Sequence, residues 1–240
     1  MSSGELISRL AYRSMLIERS LDPRYLSNGY IVADAPGGHA VFVDSGAPLE
    51  RLLAFARTHE LTATHVLRTH AHADHVAHEH ELGLPVATGS LRTGNLRVEA
   101  IPTPGHSDDM VCFVISDGGE QEFVFSGDTL FRNSVGGGDF EAIRRAVMDV
   151  YMTMPHERCL LPGHTDDSTI GREWDHNPFV AVWRGIANEG NERVRVGGAD
   201  ATLIVWSPDY DGTGKGWVRF DDGADRIVGG SHIERLTPRP

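Results

Sequence analysis

Residues 63–80 read ATHVLRTHAHADHVAHEH, a short β-branched run followed by a tract that holds five histidines and one aspartate. Three structures could explain this tract. A helix would place His72 and His75 on one solvated face, and a disordered tract could bind metals loosely. A loop at the end of a strand would instead aim alternate residues at one point and adjacent residues at a neighbouring point, which suits two metal ions. The residues that would converge are His70, His72, Asp74 and His75.

Three more candidate ligands follow apolar, strand-like runs further along the chain. His106 ends the segment TPGH, Asp128 ends FVFSGD, and His164 ends LLPGH. A glycine precedes each of them, which lets the backbone turn sharply, and α/β proteins place functional loops at strand ends. One such residue is more often a structural hydrogen-bonding group, but seven in this order favour the loop and a metal centre. The candidate ligands are His70, His72, Asp74, His75, His106, Asp128 and His164.

The segments around this tract predict an α/β layer arrangement. Residues 28–46 read as two strands with a turn at APGG, and residues 48–61 have apolar residues at helical spacing. A strand over residues 63–70 then completes a crossover. Further strands are expected within residues 84–128 and 158–164, and helices over residues 139–155 and 171–190.

The character of the sequence changes near residue 193. Residues 1–193 are predicted to form the α/β domain, and residues 194–240 a small β-rich module that resembles an SH3- or Tudor-like barrel. Its aromatic residues could form a recognition surface, but core packing or docking on the main domain is the favoured interpretation. These residues are Trp206, Tyr210, Trp217 and Phe220.

Composition excludes several classes of function. The chain has 240 residues and a formal charge of −12, which argues against a broad surface for nucleic acid or anionic lipid. No run of about 18 apolar residues occurs, and residues 1–14 lack the apolar stretch of a signal peptide. Cys112 and Cys159 lie in apolar segments, which predicts buried thiols rather than a disulfide framework. We therefore expect a cytoplasmic protein that acts on a small molecule.

The motifs THAHADH, TPGH, SGDTLF and LPGH resemble the metallo-β-lactamase superfamily, whose signature is His-x-His-x-Asp-His. Within it, GDTLF and TIGREWDHNPF are similar to the glyoxalase II-like branch, the hydroxyacylglutathione hydrolases. The resemblance runs over residues 12–185 and implies a four-layer αβ/βα sandwich with the metals between two sheets.

The resemblance also implies a role for each candidate ligand. One metal would be held by His70, His72 and His106, and the other by Asp74, His75 and His164, with Asp128 bridging the two. Asp44, in VFVDSG, would support the metal loop. His78 and His80 have no place in the pattern and are assigned to a solvated helix start.

Imidazole and carboxylate ligands without thiolate suit zinc, iron or manganese, and two divalent ions, most simply zinc, are expected. Such a pair would favour a bound hydroxide at neutral pH, which would attack an ester-like carbonyl. Asp74 is the candidate catalytic residue because it could accept a proton from the water and orient it. The preference for a thioester comes from the resemblance.

The sequence departs from glyoxalase II after GDTLF. Val135 and glycines stand where a basic residue for glutathione would be expected, and Arg132 and Arg172 are possible substitutes, although solubilising roles are favoured. One alternative is a persulfide dioxygenase-like enzyme with a single iron, which would use His70, His106 and Asp128. A second is a binding protein that uses the C-terminal module. Lactonase, β-lactamase and tRNA-processing nuclease activities are less favoured. The sequence predicts neither the acyl group nor the oligomeric state.

Overall fold

A computed structural model describes residues 15–119 and 121–236. The prediction about a signal peptide concerns residues 1–14, which lie outside the described residues. No helix in the described ranges combines the length and the apolar character needed to cross a membrane.

Strands make up most of the regular structure. They are β1 (Leu16–Leu21), β2 (Asn28–Ala33), β3 (His39–Val43), β4 (Thr62–Leu67), β5 (Val86–Ala87), β6 (Leu91–Thr93), β7 (Leu96–Pro102), β8 (Val111–Ser116), β9 (Glu122–Gly127), β10 (Leu130–Phe131), β11 (Ser134–Val135), β12 (Cys159–Pro162), β13 (Ser168–Thr169), β14 (Glu192–Val196), β15 (Ala199–Ser207), β16 (Lys215–Phe220), β17 (Asp225–Gly229) and β18 (Ile233–Arg235).

The helices are short. They are α1 (Glu50–Thr58), α2 (Ala73–Val76), α3 (Glu79–Leu82), α4 (Phe140–Arg145), α5 (Ile170–His176) and α6 (Pro178–Trp183). A π-helical turn at Ala146–Val150 and a 3₁₀ turn at Tyr151–Thr153 continue α4, so the predicted helix over 139–155 is helical but not uniformly α.

The chain forms two compact units. Among the described residues, the first contains those from Met15 to Pro102 together with those in Asp109–Gly127 and Arg158–Asp167. The second contains Thr103–Asp108, Asp128–Glu157 and the residues from Ser168 onward. The division at residues 193 and 194 stays a prediction.

The first unit is built on two sheets. In one sheet the strand order is β1-β2-β3-β4-β5, with β1, β2 and β3 antiparallel and β4 parallel to β3. The helix α1 connects β3 to β4, which confirms the predicted hairpin and crossover. In the other sheet β6, β7, β8 and β9 form an antiparallel meander, and β12 lies parallel to β9.

The main core of the first unit lies between its two sheets, because buried side chains of both form one cluster. From the first sheet these include Tyr30, Val32, Val41, Val43 and Leu67, and from the second Val98, Phe113, Ile115, Phe125 and Leu161. On the other face of the first sheet, a second cluster joins β-strand residues such as Phe42 to Leu52 and Phe55 of α1. Alternation along the strands thus buries both faces of β2 and β3.

The second unit carries the remaining helices and an antiparallel C-terminal sheet with the order β17-β16-β15-β14-β18. The predicted α/β class and the all-β C-terminal segment are both confirmed. The predicted single helix over residues 171–190 is wrong. It is broken at Asn177, whose side-chain oxygen accepts from the backbone N–H groups of Phe179 and Val180 and so begins α6, which ends at Trp183. Proline at the first position of α6 suits this restart.

Candidate metal centre

The histidine tract begins in a loop directly after β4 and enters the short helix α2 at Ala73. His70 is buried, whereas His72 precedes the helix in an extended conformation. The loop thus leaves the strand at its carboxyl end, as the third of the alternative structures predicts. His78 precedes α3, and its Nδ1 donates to the Glu81 carboxylate, 2.7 Å away. His80 lies exposed within α3. The predicted solvated position of these two histidines is confirmed.

Within the first unit, the tract brings ligand-type atoms close together. Nε2 of His70 lies 3.0 Å from Nδ1 of His72. Oδ2 of Asp74 lies 3.7 Å from Nε2 of His75 and 3.4 Å from Nε2 of His164. His164 follows β12, far away in sequence, so this approach depends on the tertiary fold.

Asp74, His75 and His164 form a group that could hold a metal ion, since each offers one ligand atom and these atoms lie within 4.8 Å of one another. Both histidines are buried, and the Asp74 side chain is about one-quarter exposed, at 23%. The carboxylate is therefore the part of this group that solvent reaches.

Asp44 supports two histidines of the tract, His75 directly and His70 through Thr69. Its Oδ2 lies 2.8 Å from Nδ1 of His75 and also accepts from the Thr69 hydroxyl at 2.8 Å. Its Oδ1 accepts from the Thr69 backbone N–H. Because the Thr69 hydroxyl donates to Asp44, it accepts from Nδ1 of His70, 3.0 Å away. The supporting role predicted for Asp44 is confirmed, and Thr69, which sequence reasoning missed, extends it to His70.

The turn after β3 fixes the backbone of the same tract. Ser45 donates its backbone N–H to the His75 carbonyl and accepts from the His78 N–H. A Cβ added at Gly46 would overlap the carbonyl oxygen of Asp74. Gly46 is therefore needed at this turn for close approach to Asp74, which the sequence alone did not indicate.

The loop that carries His164 is held by β2. Nδ2 of Asn28 donates to the carbonyl oxygens of Pro162 and Thr165, both at 2.9 Å, and the Tyr30 hydroxyl donates to Pro162 at 2.8 Å. Burial raises the pKa of Tyr30, so its hydroxyl remains a donor. Nδ1 of His164 lies 2.9 Å from the Leu26 carbonyl oxygen.

The second unit brings together the two remaining candidates. Nε2 of His106 lies 3.5 Å from Oδ2 of Asp128, although the two residues follow different strands. Nδ1 of His106 donates to the Gly137 carbonyl oxygen at 2.9 Å.

A buried carboxylate fixes the hairpin that follows Asp128. Glu173 accepts from the backbone N–H of Asn133 at 2.7 Å and from the Ser168 hydroxyl at 2.5 Å. Asn177 donates to Glu173 and to the Ser134 carbonyl oxygen. Glu173 and Asn177 lie in TIGREWDHNPF, a motif that indicated a family but not what these two residues do.

The two candidate anchors for a substrate carboxylate have different surroundings. Arg172 pairs with the buried Glu173 at 2.7 Å, so its guanidinium is part of the structural network. Arg132 is half-buried at the tip of the β10–β11 hairpin. Neither is simply the exposed, solubilising arginine that the sequence favoured.

The ring contacts show how a metal could be bound. Nδ1 of His70, His75, His106 and His164 each meets a protein oxygen, as described above. A metal would therefore be bound through Nε2, with the tautomer fixed by the Nδ1 partner, as is typical of metal-binding histidines. The donors are imidazole and carboxylate groups, which fit zinc, iron or manganese.

Comparisons with curated proteins give several relatives, while no protein-family model matches the chain. An uncharacterized protein from Mycobacterium leprae is 29% identical over 207 residues, which cover 64% of this chain and 93% of that protein. "Probable metallo-hydrolase YqgX" from Bacillus subtilis is 25% identical over 182 residues, 57% of this chain and 85% of that protein. The hydroxyacylglutathione hydrolase from a Polaromonas species is 30% identical over 181 residues, 62% of this chain and 66% of that protein.

Three solved structures are each similar to about two-thirds of this chain. The BLEG-1 B3 metallo-β-lactamase is 25% identical, with a TM-score of 0.61 over 69% of this chain and 99% of its own. ETHE1 from Myxococcus xanthus is 27% identical, with a TM-score of 0.60 over 70% of this chain and 85% of its own. The di-iron-bound form of TTHA1623 is 31% identical, with a TM-score of 0.53 over 67% of this chain and 98% of its own. None of these similarities covers the whole chain.

Proposed function

Because the chain belongs to the metallo-β-lactamase superfamily, we propose that it is a dinuclear metallohydrolase that cleaves a thioester or a related ester. The glyoxalase II-like motifs and the similarity to a hydroxyacylglutathione hydrolase support this substrate class. We also propose that the enzyme acts in the cytoplasm and that its substrate is a small molecule.

The observation that carries the proposal is the group of Asp74, His75 and His164. Two imidazole nitrogens and a carboxylate oxygen this close together are a donor set that binds zinc in proteins. Asp44 and the Leu26 carbonyl oxygen fix the Nδ1 tautomers, so Nε2 of both rings faces the carboxylate at 3.4–3.7 Å.

The ligand assignment that we propose follows the motifs. His70, His72 and His106 would hold one ion, and Asp74, His75 and His164 the other. Asp128 would bridge the two ions. When bound, such ions supply hydroxide at neutral pH and stabilise the developing oxyanion.

The chain's own residues then have separate tasks. Asp74 would accept the proton of the attacking water and hold that water in line, since it is the partly exposed carboxylate of the group. Asp44 would hold His75 and, through Thr69, His70 against rotation. No step requires a serine or cysteine nucleophile.

The test is a metal analysis of protein purified without added metal, combined with a panel of a small acyl thioester, acylglutathione, a lactone and a β-lactam. We expect two metals per chain and preferential thioester cleavage. The variant His70→Ala should lose the activity by at least about a thousandfold, by analogy with the loss of a principal catalytic group. His80→Ala is the matched control, because His80 is an exposed histidine of the same tract.

Three other results would contradict the proposal. One iron per chain with oxygen consumption on a glutathione persulfide would identify the persulfide dioxygenase-like enzyme. Equal thioester cleavage by His70→Ala and wild type, or none by either, would favour a binding protein. Cleavage of the lactone or the β-lactam alone would exclude the thioester as the substrate class.

A further inference from the structure

The C-terminal sheet has its own small core and a second apolar face. Val194, Ala201, Leu203 and Val218 form the core, with Phe220 packed against it. Trp217 and Ile227 are also buried, although neither belongs to that cluster. Both residues also have contacts outside the sheet, elsewhere in the second unit.

These contacts converge on a loop of three consecutive glycines, Gly136–Gly138, which we call the triglycine loop. Gly138 forms an antiparallel β-bridge with Ile227 of β17. The ring of Phe140, two residues after the loop, lies 4.7 Å from that of Trp217 in β16, measured between centroids. On the other side of the loop, the Ser207 hydroxyl donates to that of Ser134 at 3.1 Å.

The same loop contacts both candidate ligands of the second unit. A Cβ added at Gly136 would overlap the Asp128 carbonyl oxygen, and one added at Gly138 would overlap the Gly105 carbonyl oxygen. Between them, the Gly137 carbonyl oxygen accepts from Nδ1 of His106. Gly138 also has a φ of +142°, which a residue with a side chain rarely adopts. The glycines are therefore explained by close approach to the ligand segments.

We propose that the C-terminal sheet is a positioning element for the metal centre, which acts through the triglycine loop on His106 and Asp128. This inference rests on the metal centre of the proposed function. Pairing of β17 with Gly138 and packing of Trp217 on Phe140 fix the loop from one side, and the loop in turn fixes the tautomer and orientation of His106. Trp217 is thus used for docking rather than for capture of a partner.

The experiment compares two substitutions of the same type in the same sheet. Trp217→Ala removes the contact with Phe140, whereas Trp206→Ala removes a ring that is 38% exposed and stacks near Arg235 instead. For each full-length variant we would measure the dissociation constant for zinc by chelator competition, the spectrum of the cobalt-substituted protein, and the melting temperature of the metal-free protein.

We expect Trp217→Ala to raise the zinc dissociation constant about tenfold or more, as the loss of a ligand's supporting partner does. The cobalt spectrum should change with it. Trp206→Ala should leave both unchanged even if the metal-free proteins melt at similarly reduced temperatures. Trp217→Phe, which restores a ring against Phe140, should recover most of the affinity.

A second pair of variants covers the case in which Trp217→Ala does not fold. Gly138→Ala introduces the overlap with the Gly105 carbonyl oxygen. Gly223→Ala is its control, because Gly223 also has a positive φ but no atom lies within 4 Å of the added Cβ. Only the first should weaken zinc binding. Zinc affinity within twofold of wild type in a folded Trp217→Ala or Gly138→Ala variant would overturn the inference.

The outcome is separable from that of the proposed function. A wild type that binds two metals but cleaves no thioester refutes the proposed reaction, while the zinc affinities of the variants still support or refute the positioning role. A wild type that binds no metal would overturn both.

Discussion

Oδ2 of Asp44 lies 2.8 Å from Nδ1 of His75, although 31 residues separate the two in sequence. Asp44 begins the turn after β3 with a φ of +54°, and His75 lies in α2 after β4. Because β3 and β4 are parallel neighbours, their carboxyl ends meet at one edge of the sheet. The pair therefore links the scaffold to the candidate ligands.

Asp44→Asn should weaken zinc binding about 10- to 100-fold, because an amide can present an N–H to Nδ1 and favour the wrong tautomer of His75. Chelator competition measures the effect. Asp34→Asn is the matched control, since Asp34 is a buried carboxylate of the same unit that accepts from the backbone N–H groups of His39 and Asn95. If both variants lose affinity equally, general destabilisation explains the result instead.

Gly46→Ala should displace Asp74 and lower metal content, because the added Cβ would overlap the Asp74 carbonyl oxygen. We expect a loss of at least half of the bound metal in protein that still folds. Gly89→Ala, where the added Cβ has no neighbour within 4 Å, should retain wild-type content. Elemental analysis measures the bound metal in both variants. An unchanged metal content in Gly46→Ala would contradict the prediction and show that the turn adapts to the added Cβ.

Tyr30→Phe should lower the free energy of unfolding by about 1 kcal/mol at pH 7, because the hydroxyl no longer donates to Pro162. The dependence on pH has a definite sign. Burial raises the pKa of Tyr30, so its contribution is complete below about pH 10, where an unfolded tyrosine ionises, and declines above it by up to about 1.4 kcal/mol per pH unit.

Urea unfolding of wild type and Tyr30→Phe at pH 8 and at pH 10.5 measures this difference directly. The stability gap between the two proteins should narrow at the higher pH. A constant gap would mean that the hydroxyl is less buried than its contacts indicate.

Glu173→Gln should destabilise the protein by roughly 1–3 kcal/mol, since a buried amide cannot accept at both of its positions from the donors that surround Glu173. The hairpin after Asp128 should loosen with it. Glu141→Gln, on the exposed side of α4, should change stability by less than about 0.5 kcal/mol. Urea unfolding of the metal-free proteins provides the comparison, and equal effects would contradict the role assigned to Glu173.

The main elements of the fold could be predicted where local patterns are strong. The hairpin over residues 28–46 and the helix within 48–61 follow from alternation, turn residues and helical spacing. The prediction of a single helix over residues 171–190 is wrong because a capping asparagine and a proline interrupt a continuous apolar pattern at Asn177. At this position the asparagine and the proline outweigh the apolar periodicity and end the first helix.

The candidate ligands could be predicted because each lies in a short motif after a strand. Their supports could not. Thr69, Asn28 and Glu173 have no distinctive local sequence, and their partners are brought to them only by the sheets and by the helices of the second unit. The tautomers of the histidines were likewise undetermined, because they depend on what lies opposite Nδ1.

The sequence by itself indicated the α/β class, the main strands and the candidate ligands, since these depend on neighbouring residues and short-range periodicity. The tertiary structure alone decided that Asp74 meets His164, that Asp44 fixes His75, and that three glycines connect His106 to the C-terminal sheet. Contacts of this kind join segments that are remote in the chain, so only the packing of the sheets can place their atoms within bonding distance.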